Sequence, residues 1–415
     1  SRFFNVGSGS TWPGHIKLNI NKNFIKQIVN KNSHLKIILI TGTNGKTTTS
    51  KLIRTILDKN KIRVIYNESG ANLVNGIASV LIQSTSTFGK INASYAIFEI
   101  DENTLPLILK EIKNPDFVII LNLFRDQLDR YGEINTIANK WKDAIRHLPS
   151  ETKLILNADD PQIAYLASHL KGACVKYFGI YSKNKTEKNQ HASDSIYCPN
   201  CGEKLIYISV YFSHLGNWEC KKCGYNHPTK IFTNSPVYPL VVMYNEYNTN
   251  VAVLITKQIG ISEIKIKAAL QDFKPAFGRQ ETLDINGKKV QIFLSKNPTS
   301  FNESLRTIAS LKAKNLLIVL NDRVPDGRDI SWIWDVDFED YVSQFKNLTV
   351  SGDRAYEIGL RLKYAEFKKF EIKENLTKSI NIAVEKTPKS ETLYILPTYS
   401  AMLEVRKILT GKKIL

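Results

Sequence analysis

The feature that most constrains the fold of this chain is the segment IILITGTNGKTTTSKLIR, residues 37–54. Four apolar residues lead into a turn that contains Gly and Asn, and a lysine, three threonines and a helix-like pattern follow. A Gly-rich turn offers backbone N–H groups to phosphate oxygens, and the next helix directs the positive end of its dipole to the same place. The segment therefore predicts a strand, a phosphate-binding loop and a helix, in that order.

The residue types in this loop indicate how a nucleotide is held. Lys46 is expected to neutralise phosphate charge, and the hydroxyl of Thr47 to bind Mg²⁺. The strict pattern GxxxxGK[ST] requires Gly at position 40, where the chain has Ile40, so the loop is a variant of that pattern. We predict nucleotide contacts from Thr43, Asn44, Gly45, Lys46, Thr47 and Thr48.

Further apolar runs alternate with helical patterns, and each run ends in a polar segment. They lie at 62–67, 95–102, 116–132 and 153–161. Such alternation predicts a mostly parallel sheet covered by helices, in which ligands bind at the carboxyl edge of the strands.

Acidic and amide side chains at two of these strand ends are candidate site residues. Glu99 is the best second ligand for Mg²⁺, which prefers oxygen, although a solvated acidic strand end is the alternative. Whether Asp101 or Glu102 joins it is left open. Asn157 and Asp160 could bind the nucleoside, but capping of a helix by Asp160 before Pro161 explains the pattern equally well.

The domain organisation follows from the same alternation. We predict a central nucleotide-binding α/β domain over 1–272, interrupted by an insertion at 195–230, and a second, smaller α/β domain over 273–415. The strands of the second domain are expected at 289–296, 315–322, 347–352 and 391–398.

Four of the five cysteines form two CxxC pairs, at 198–201 and 220–223. This spacing is typical of a closed tetrahedral Zn²⁺ site, which has no open position for catalysis. We therefore predict a structural zinc ribbon with Cys198, Cys201, Cys220 and Cys223 as ligands. The fifth, Cys174, lies in an apolar run that predicts a buried strand, so we expect a packed thiol and not a catalytic nucleophile.

The net charge of +18 is spread along the sequence without a dense basic block. Together with the cysteines it raises one alternative, a zinc-ribbon NTPase that binds nucleic acid, but the ribbon has no stripe of basic residues alternating with aromatics. The sequence has no apolar run long enough to span a membrane and no secretory pattern, so a cytoplasmic location is expected, either free or at the inner face of the membrane.

The motifs TGTNGKTTT, NLFRDQLDRYGE, NADDP and FGRQE together resemble the nucleotide sites of Mur ligases and folylpolyglutamate synthases. That resemblance implies ATP-dependent amide formation through an acyl phosphate. It also implies that Arg279 contacts the phosphates. A folylpolyglutamate synthase-like ligase, which adds an amino acid, is therefore a second alternative.

The sequence departs from the usual pattern of these ligases in three places, and the departures indicate one branch of the superfamily. Forty residues precede Thr41, which is too few for the N-terminal UDP-binding domain of those ligases. Gln127 stands where a metal-linked His is usual, and KNPTSFNESL replaces the usual start of the C-terminal domain. With the four cysteines and DGRDISWIWDVDFE, 326–339, these features resemble the MurT family, the ligase-like subunits of lipid II isoglutaminyl synthase.

Membership of that branch implies a substrate and a partner. It implies amidation of the α-carboxylate of D-glutamate in the lipid II stem peptide, with ammonia supplied by a GatD-type glutamine amidotransferase subunit. It also implies that one aspartate of the C-terminal domain completes the Cys–His pair of the partner, since Asp can orient a catalytic His. We select Asp335 for this role, with Asp329 as the second choice, and we treat Asp335, Lys46 and Glu99 as catalytic.

Overall fold

The computed structural model describes residues 11–67, 71–126, 134–170, 174–181, 193–240, 242–275 and 279–411. These residues form two compact units. The first unit contains Ser1–Phe124, Glu133–Lys188 and Ser195–Lys274, and the second contains Arg125–Gly132, Asn189–Asp194 and Pro275–Leu415. Two short segments that precede the second predicted domain in sequence thus belong to the second unit.

A seven-stranded, all-parallel sheet forms the centre of the first unit, in the order β2-β3-β1-β4-β5-β6-β9. β1 lies between β3 and β4, so the strand order reverses at β1. This is the position at which open α/β sheets bind ligands. The strands are β1 (Lys36–Thr41), β2 (Val64–Tyr66), β3 (Tyr95–Glu99), β4 (Phe117–Ile120), β5 (Lys153–Asn157), β6 (Cys174–Phe178) and β9 (Ile231–Phe232).

Helices cover the sheet because their apolar residues recur with helical spacing. In Lys46–Lys59, the side chains of Leu52, Ile53, Ile56 and Leu57 are fully buried. The helix Met243–Gln258 packs in the same core, where a run of its residues from Val251 to Ile255 is buried. The remaining helices of this unit are Trp12–Ile20, Phe24–Lys31, Val74–Ser84, Leu105–Glu111, Ile134–Ile145, Pro161–Tyr165 and Glu263–Gln271, with a 3₁₀ turn at Leu166–His169.

The insertion predicted at 195–230 contains an antiparallel hairpin of β7 (Ile206–Phe212) and β8 (Leu215–Glu219). Each CxxC turn flanks one strand of this hairpin. Trp218 of β8 is fully buried in a small apolar cluster with Leu205 and with Ala164 of the central domain. The ribbon is therefore packed on the parallel-sheet unit.

The second unit is built on a six-stranded sheet in the order β10-β11-β15-β12-β13-β14. β10 and β11 are antiparallel, and the other neighbours are parallel. Its strands are β10 (Arg279–Ile285), β11 (Lys288–Phe293), β12 (Asn315–Val319), β13 (Asn347–Ser351), β14 (Phe370–Ile372) and β15 (Thr392–Pro397). Its helices are Pro298–Ser310, Ala355–Tyr364, Leu376–Lys386 and Tyr399–Thr410, with 3₁₀ turns at Ser331–Asp335, Phe338–Asp340 and Val342–Gln344.

The predicted fold class is confirmed: a parallel α/β unit with a cysteine-rich hairpin, and a second α/β unit. The four strands predicted for the second unit are present, but β10 and β14 were not predicted. Within the described residues, no helix is both long and apolar enough to cross a membrane.

Candidate active site

The phosphate loop turns sharply at two glycines after β1. Gly42 and Gly45 have φ angles of 131° and 94°, a region that L side chains rarely adopt. A Cβ atom at Gly45 would also lie 2.2 Å from Oδ1 of Asn248. Both positions therefore require glycine, and the helix Lys46–Lys59 begins directly after the second.

The segment after β4 holds the loop in place. The backbone N–H of Thr43 donates to the carbonyl of Asn122 at 3.1 Å, and Asn44 N–H donates to Asn122 Oδ1 at 2.9 Å. Asn122 Nδ2 donates in return to the Asn44 carbonyl at 3.0 Å. The Thr43 hydroxyl donates to the carbonyl of Phe124 and accepts from its N–H. An α-helix has no internal partners for its first N–H groups, so those at the start of Lys46–Lys59 are the groups that a phosphate at this loop would meet.

Lys46 lies at the start of that helix with its side chain almost buried. Its ammonium donates to the Gly42 carbonyl at 2.5 Å and to Glu102 Oε1 at 2.9 Å. The lysine thus folds back over the loop, where an anion bound by the loop would meet it.

Thr47 and Glu99 come together as the sequence predicts for a metal pair. The Thr47 hydroxyl donates to Glu99 Oε2 at 2.8 Å. Asn67 fixes the backbone of Glu99 on both sides, because its Nδ2 donates to the Glu99 carbonyl and its Oδ1 accepts from the Glu99 N–H, each at 2.8 Å. This arrangement presents a hydroxyl and a carboxylate oxygen side by side, the ligand types that Mg²⁺ prefers.

Glu99, Asp101 and Glu102 are all buried. Their carboxylates do not converge, however. In the described part of the chain, the four cysteines are the one group that brings three or more potential His, Cys, Asp or Glu ligand atoms within 4.8 Å of one another. Glu102 accepts from the Lys46 ammonium, whereas Glu99 accepts from the Thr47 hydroxyl.

Asn157 and Asp160 lie at the end of β5 with fully buried side chains. Asn157 Nδ2 donates to the Leu121 carbonyl at 2.8 Å. Asp160 accepts from the backbone N–H groups of Gln162 and Ile163 through one oxygen and from Leu123 N–H through the other. The predicted capping of the following helix by Asp160 is confirmed, and the nucleoside role of both residues stays a prediction.

The four ribbon cysteines converge. Sγ of Cys198 lies 3.7 Å from that of Cys223, and Sγ of Cys201 lies 3.5 Å from that of Cys220. A tetrahedral Zn²⁺ with bonds of about 2.3 Å requires sulfur atoms about 3.8 Å apart. The cysteine cluster therefore fits the predicted zinc site.

Two histidines of the ribbon segment contact aspartates of the turn after β5. Nε2 of His227 lies 2.7 Å from Asp159 Oδ1, and Nε2 of His214 lies 3.4 Å from Asp160 Oδ2. Tyr247 also donates to Asp159, and burial, followed by the charge of Asp159, raises the pKa of this tyrosine well above its usual range. Burial likewise raises the pKa of Tyr207.

Asp335 ends the 3₁₀ turn Ser331–Asp335 of the second unit. Its Oδ2 lies 3.3 Å from Nη1 of Arg125, and 38% of its side chain is exposed. The neighbouring Trp334 is 47% exposed and packs edge-on against Tyr364. Asp329, the second choice, is also exposed and accepts from Ser331 N–H at 2.8 Å. Both carboxylates are accessible.

Three other predictions have different outcomes. Gln127 and the side chain of Arg279 lie outside the described residues. Cys174 does begin a strand, β6, but its side chain is exposed, so the prediction of a packed thiol is wrong. Its position at the first residue of a strand with alternating exposure explains the difference. Among the described contacts, no hydrogen bond joins Cys174 to a histidine.

Sequence reasoning missed three asparagines that shape the site: Asn67, Asn122 and Asn248. Asn248 accepts from the Thr49 hydroxyl at 3.2 Å and lies against Gly45. Asn122 is the first residue of the motif NLFRDQLDRYGE. The similarity of this motif to the nucleotide sites of Mur ligases could have indicated a role for Asn122.

Comparison with known proteins agrees with this geometry. The family described as Mur ligase middle domain matches residues 40–255, and MurT ligase C-terminal matches residues 294–402. The chain is 33% identical to the MurT subunit of lipid II isoglutaminyl synthase (glutamine-hydrolyzing) from Staphylococcus aureus, over 86% of this chain and 83% of that protein. It is also 33% identical to the Streptococcus pneumoniae subunit of the same name, over 99% and 94% of the two chains.

Solved structures show the same fold. MurF ligase from Thermotoga maritima, in complex with ADP, has a TM-score of 0.63 at 13% identity and covers 98% of this chain and 84% of its own. The prediction of an ATP-dependent ligase of the Mur type is confirmed, and the match at 294–402 argues against the folylpolyglutamate and nucleic-acid alternatives. The chain belongs to the MurT family of Mur ligase-like proteins.

Proposed function

We propose that this chain amidates the α-carboxylate of D-glutamate in the lipid II stem peptide, giving D-isoglutamine. The carboxylate attacks the γ-phosphorus of ATP and forms an acyl phosphate, and ADP leaves. Ammonia then attacks the acyl carbon, loses a proton and expels inorganic phosphate. The names of the S. aureus and S. pneumoniae relatives support this substrate and product.

The observation that carries the proposal is the group of Lys46, Thr47 and Glu99 at the point where the strand order reverses. Lys46 would exchange its contact with Glu102 for the phosphates and would stabilise the charge that develops during transfer. Thr47 and Glu99 would hold Mg²⁺, which supplies further positive charge at the phosphates when bound.

The remaining nucleotide residues are proposed from the family resemblance. Arg279 would contact the phosphates, and the loop residues Thr43, Asn44, Gly45 and Thr48 would surround them. Asn157 and Asp160 are buried and bonded to backbone groups, so we propose that they act on the nucleotide through the loops that they hold.

A glutaminase partner of the GatD type would supply the ammonia. The relatives are described as subunits of a glutamine-hydrolyzing enzyme, and four of the five cysteines of this chain are grouped in the ribbon. Asp335 is proposed to orient the catalytic His of the partner, because it is accessible and because exposed Trp334 adjoins it. The lipid-linked substrate would place the complex at the inner face of the membrane.

The test compares two nitrogen sources in the chain–partner complex, with Asp335→Asn and Asp329→Asn as matched variants. Asp335→Asn should keep amidation with ammonium chloride and lose it with glutamine, whereas Asp329→Asn should support both. Loss of both reactions in a folded Asp335→Asn complex would contradict the role of Asp335. Amidation by neither nitrogen source in the native complex would contradict the proposed function.

A further inference from the structure

The zinc ribbon is bonded to the turn after β5, residues 158–161, at successive positions. Gly216 N–H donates to the Asp159 carbonyl at 3.0 Å, and the indole N–H of Trp218 donates to the Ala158 carbonyl at 3.3 Å. The hydroxyl of Tyr225 donates to the Pro161 carbonyl at 3.2 Å. Ribbon groups thus hold the backbone of this turn along most of its length.

Two ribbon histidines add side-chain contacts to the same turn. His227 lies against Asp159, and His214 lies against Asp160. The side chains of His214 and Asp160 are both fully buried, and the His214 ring also packs on Phe124 with 4.8 Å between ring centroids. His214 is in the β7–β8 connection, whereas His227 follows the second CxxC turn, so the two contacts come from different parts of the ribbon.

The turn after β5 also holds the segment that follows β4, residues 121–124. Asn157, which precedes the turn, donates to the Leu121 carbonyl, and the Asp160 oxygen that faces His214 accepts from Leu123 N–H at 2.9 Å. A shift of the turn would therefore move this segment, since both contacts are buried hydrogen bonds that are costly to leave unmade.

The segment after β4 is the one that clamps the phosphate loop. Asn122 is bonded to the backbone of Thr43 and Asn44, and Phe124 exchanges two hydrogen bonds with the Thr43 hydroxyl. The ribbon thus reaches the phosphate loop through two intermediate layers, all within the first unit.

We propose that the ribbon positions the phosphate loop, and that His214 is a positioning residue for ATP binding. The ribbon would hold the turn 158–161, the turn would hold 121–124, and that segment would hold Thr43 and Asn44. This inference rests on the proposed nucleotide role of the loop. It assigns to the zinc site an effect on nucleotide affinity in addition to an effect on stability.

The first experiment measures the dissociation constant of ATP for His214→Ala and His214→Phe, with Lys204→Ala as control. Lys204 is an exposed ribbon residue outside the contacts described above. His214→Ala should weaken ATP binding about three- to thirtyfold, the range of couplings carried through packed networks. His214→Phe, which keeps an aromatic ring against Phe124, should have a smaller effect, and Lys204→Ala none. Zinc content should stay at the native value in all three.

A folded His214→Ala protein that binds ATP within twofold of the native protein would overturn the proposal. A double-mutant cycle with Thr43→Val adds a second criterion. The two effects on ATP affinity should be less than additive, because both act on the same clamp, and strict additivity would count against the relay.

Hydrogen exchange gives a readout that needs neither activity nor the alanine variant to fold. The amides of Thr43 and Asn44 should exchange faster in His214→Phe and in native protein stripped of zinc by a chelator. Unchanged exchange in both would overturn the proposal. If native protein binds no nucleotide at all, the proposed function fails instead, and the exchange result still tests the mechanical link.

Discussion

The ammonium of Lys46 donates a hydrogen bond to Glu102 Oε1 at 2.9 Å, and both side chains are nearly buried. The backbone of Glu102 is fixed as well, because its carbonyl accepts from the indole N–H of the fully buried Trp141 at 2.7 Å. Lys46 is therefore held close to the phosphate loop. A nucleotide bound there would compete with Glu102 for this cation.

Substitutions of Lys46 and of Glu102 should have opposite effects. Loss of Lys46 should impair the reaction, whereas loss of the Glu102 charge should strengthen ATP binding. Lys46→Met should lower kcat/KM by about 100-fold or more, since it removes a charge that faces the transferred phosphate. Glu102→Gln should bind ATP several-fold more tightly than native protein in the absence of Mg²⁺, because a neutral amide oxygen competes with the phosphates for Lys46 less strongly than a carboxylate does. Calorimetric titration without metal measures this difference. Equal or weaker binding by Glu102→Gln would show that Glu102 does not compete for Lys46.

The Thr47–Glu99 pair should set the requirement for Mg²⁺. Glu99→Gln keeps an oxygen for the Thr47 hydroxyl but loses the charge, so half-maximal activation should need at least about tenfold more Mg²⁺. Thr47→Ser retains the hydroxyl and should resemble native protein, whereas Thr47→Val should not. Titration of ATP hydrolysis with MgCl₂ checks this, and an unchanged midpoint for Glu99→Gln would exclude Glu99 as a ligand.

The four ribbon cysteines should bind zinc together, so that removing any one of the thiols weakens zinc binding. Cys198→Ser should lower the bound zinc measured by atomic spectrometry and should reduce the melting temperature, because a structural zinc site contributes directly to folding. Cys174→Ser is the matched control, since that thiol is exposed and lies outside the cluster. Native zinc content in Cys198→Ser would disprove the assignment of that ligand.

Tyr247 should make the stability of the first unit depend on alkaline pH. Burial, and then Asp159, raises its pKa well above the usual 10.0. Below pH 10 the phenol is protonated in both states, so its contribution is fully present. Above pH 10 the unfolded chain loses the proton while the folded chain keeps it, and the free energy of unfolding falls. Tyr247→Phe should show a shallower decline in denaturant titrations from pH 9 to 11, and an identical decline would refute this reading.

Local patterns explain why the sequence predicted much of the site. The phosphate loop and the CxxC turns depend on residues that are close in sequence. Glu99 could be placed near Thr47, 52 positions away, because the carboxyl ends of parallel strands meet at one edge of the sheet. The pairing of Lys46 with Glu102 was not predicted, since the position of a strand end does not specify which of its acids faces the lysine.

The same limit applies to the asparagines and to the ribbon. Asn248 reaches Thr49 across 199 residues, and His227 reaches Asp159 across 68. These asparagines follow no distinctive spacing, so the sequence offered no reason to select Asn67 or Asn248 from many others. The structure gives His214 and His227 partners in the turn after β5, and no spacing in the sequence indicates these contacts.

The most direct test of the central claim incubates this chain alone with ATP, Mg²⁺, ammonium chloride and lipid II that carries D-glutamate. The account predicts equal amounts of ADP and product, with a mass change in the stem peptide that corresponds to conversion of one carboxyl group to an amide. An added amino acid should not replace ammonium. Release of ADP without that mass change, or incorporation of the amino acid, would contradict the account.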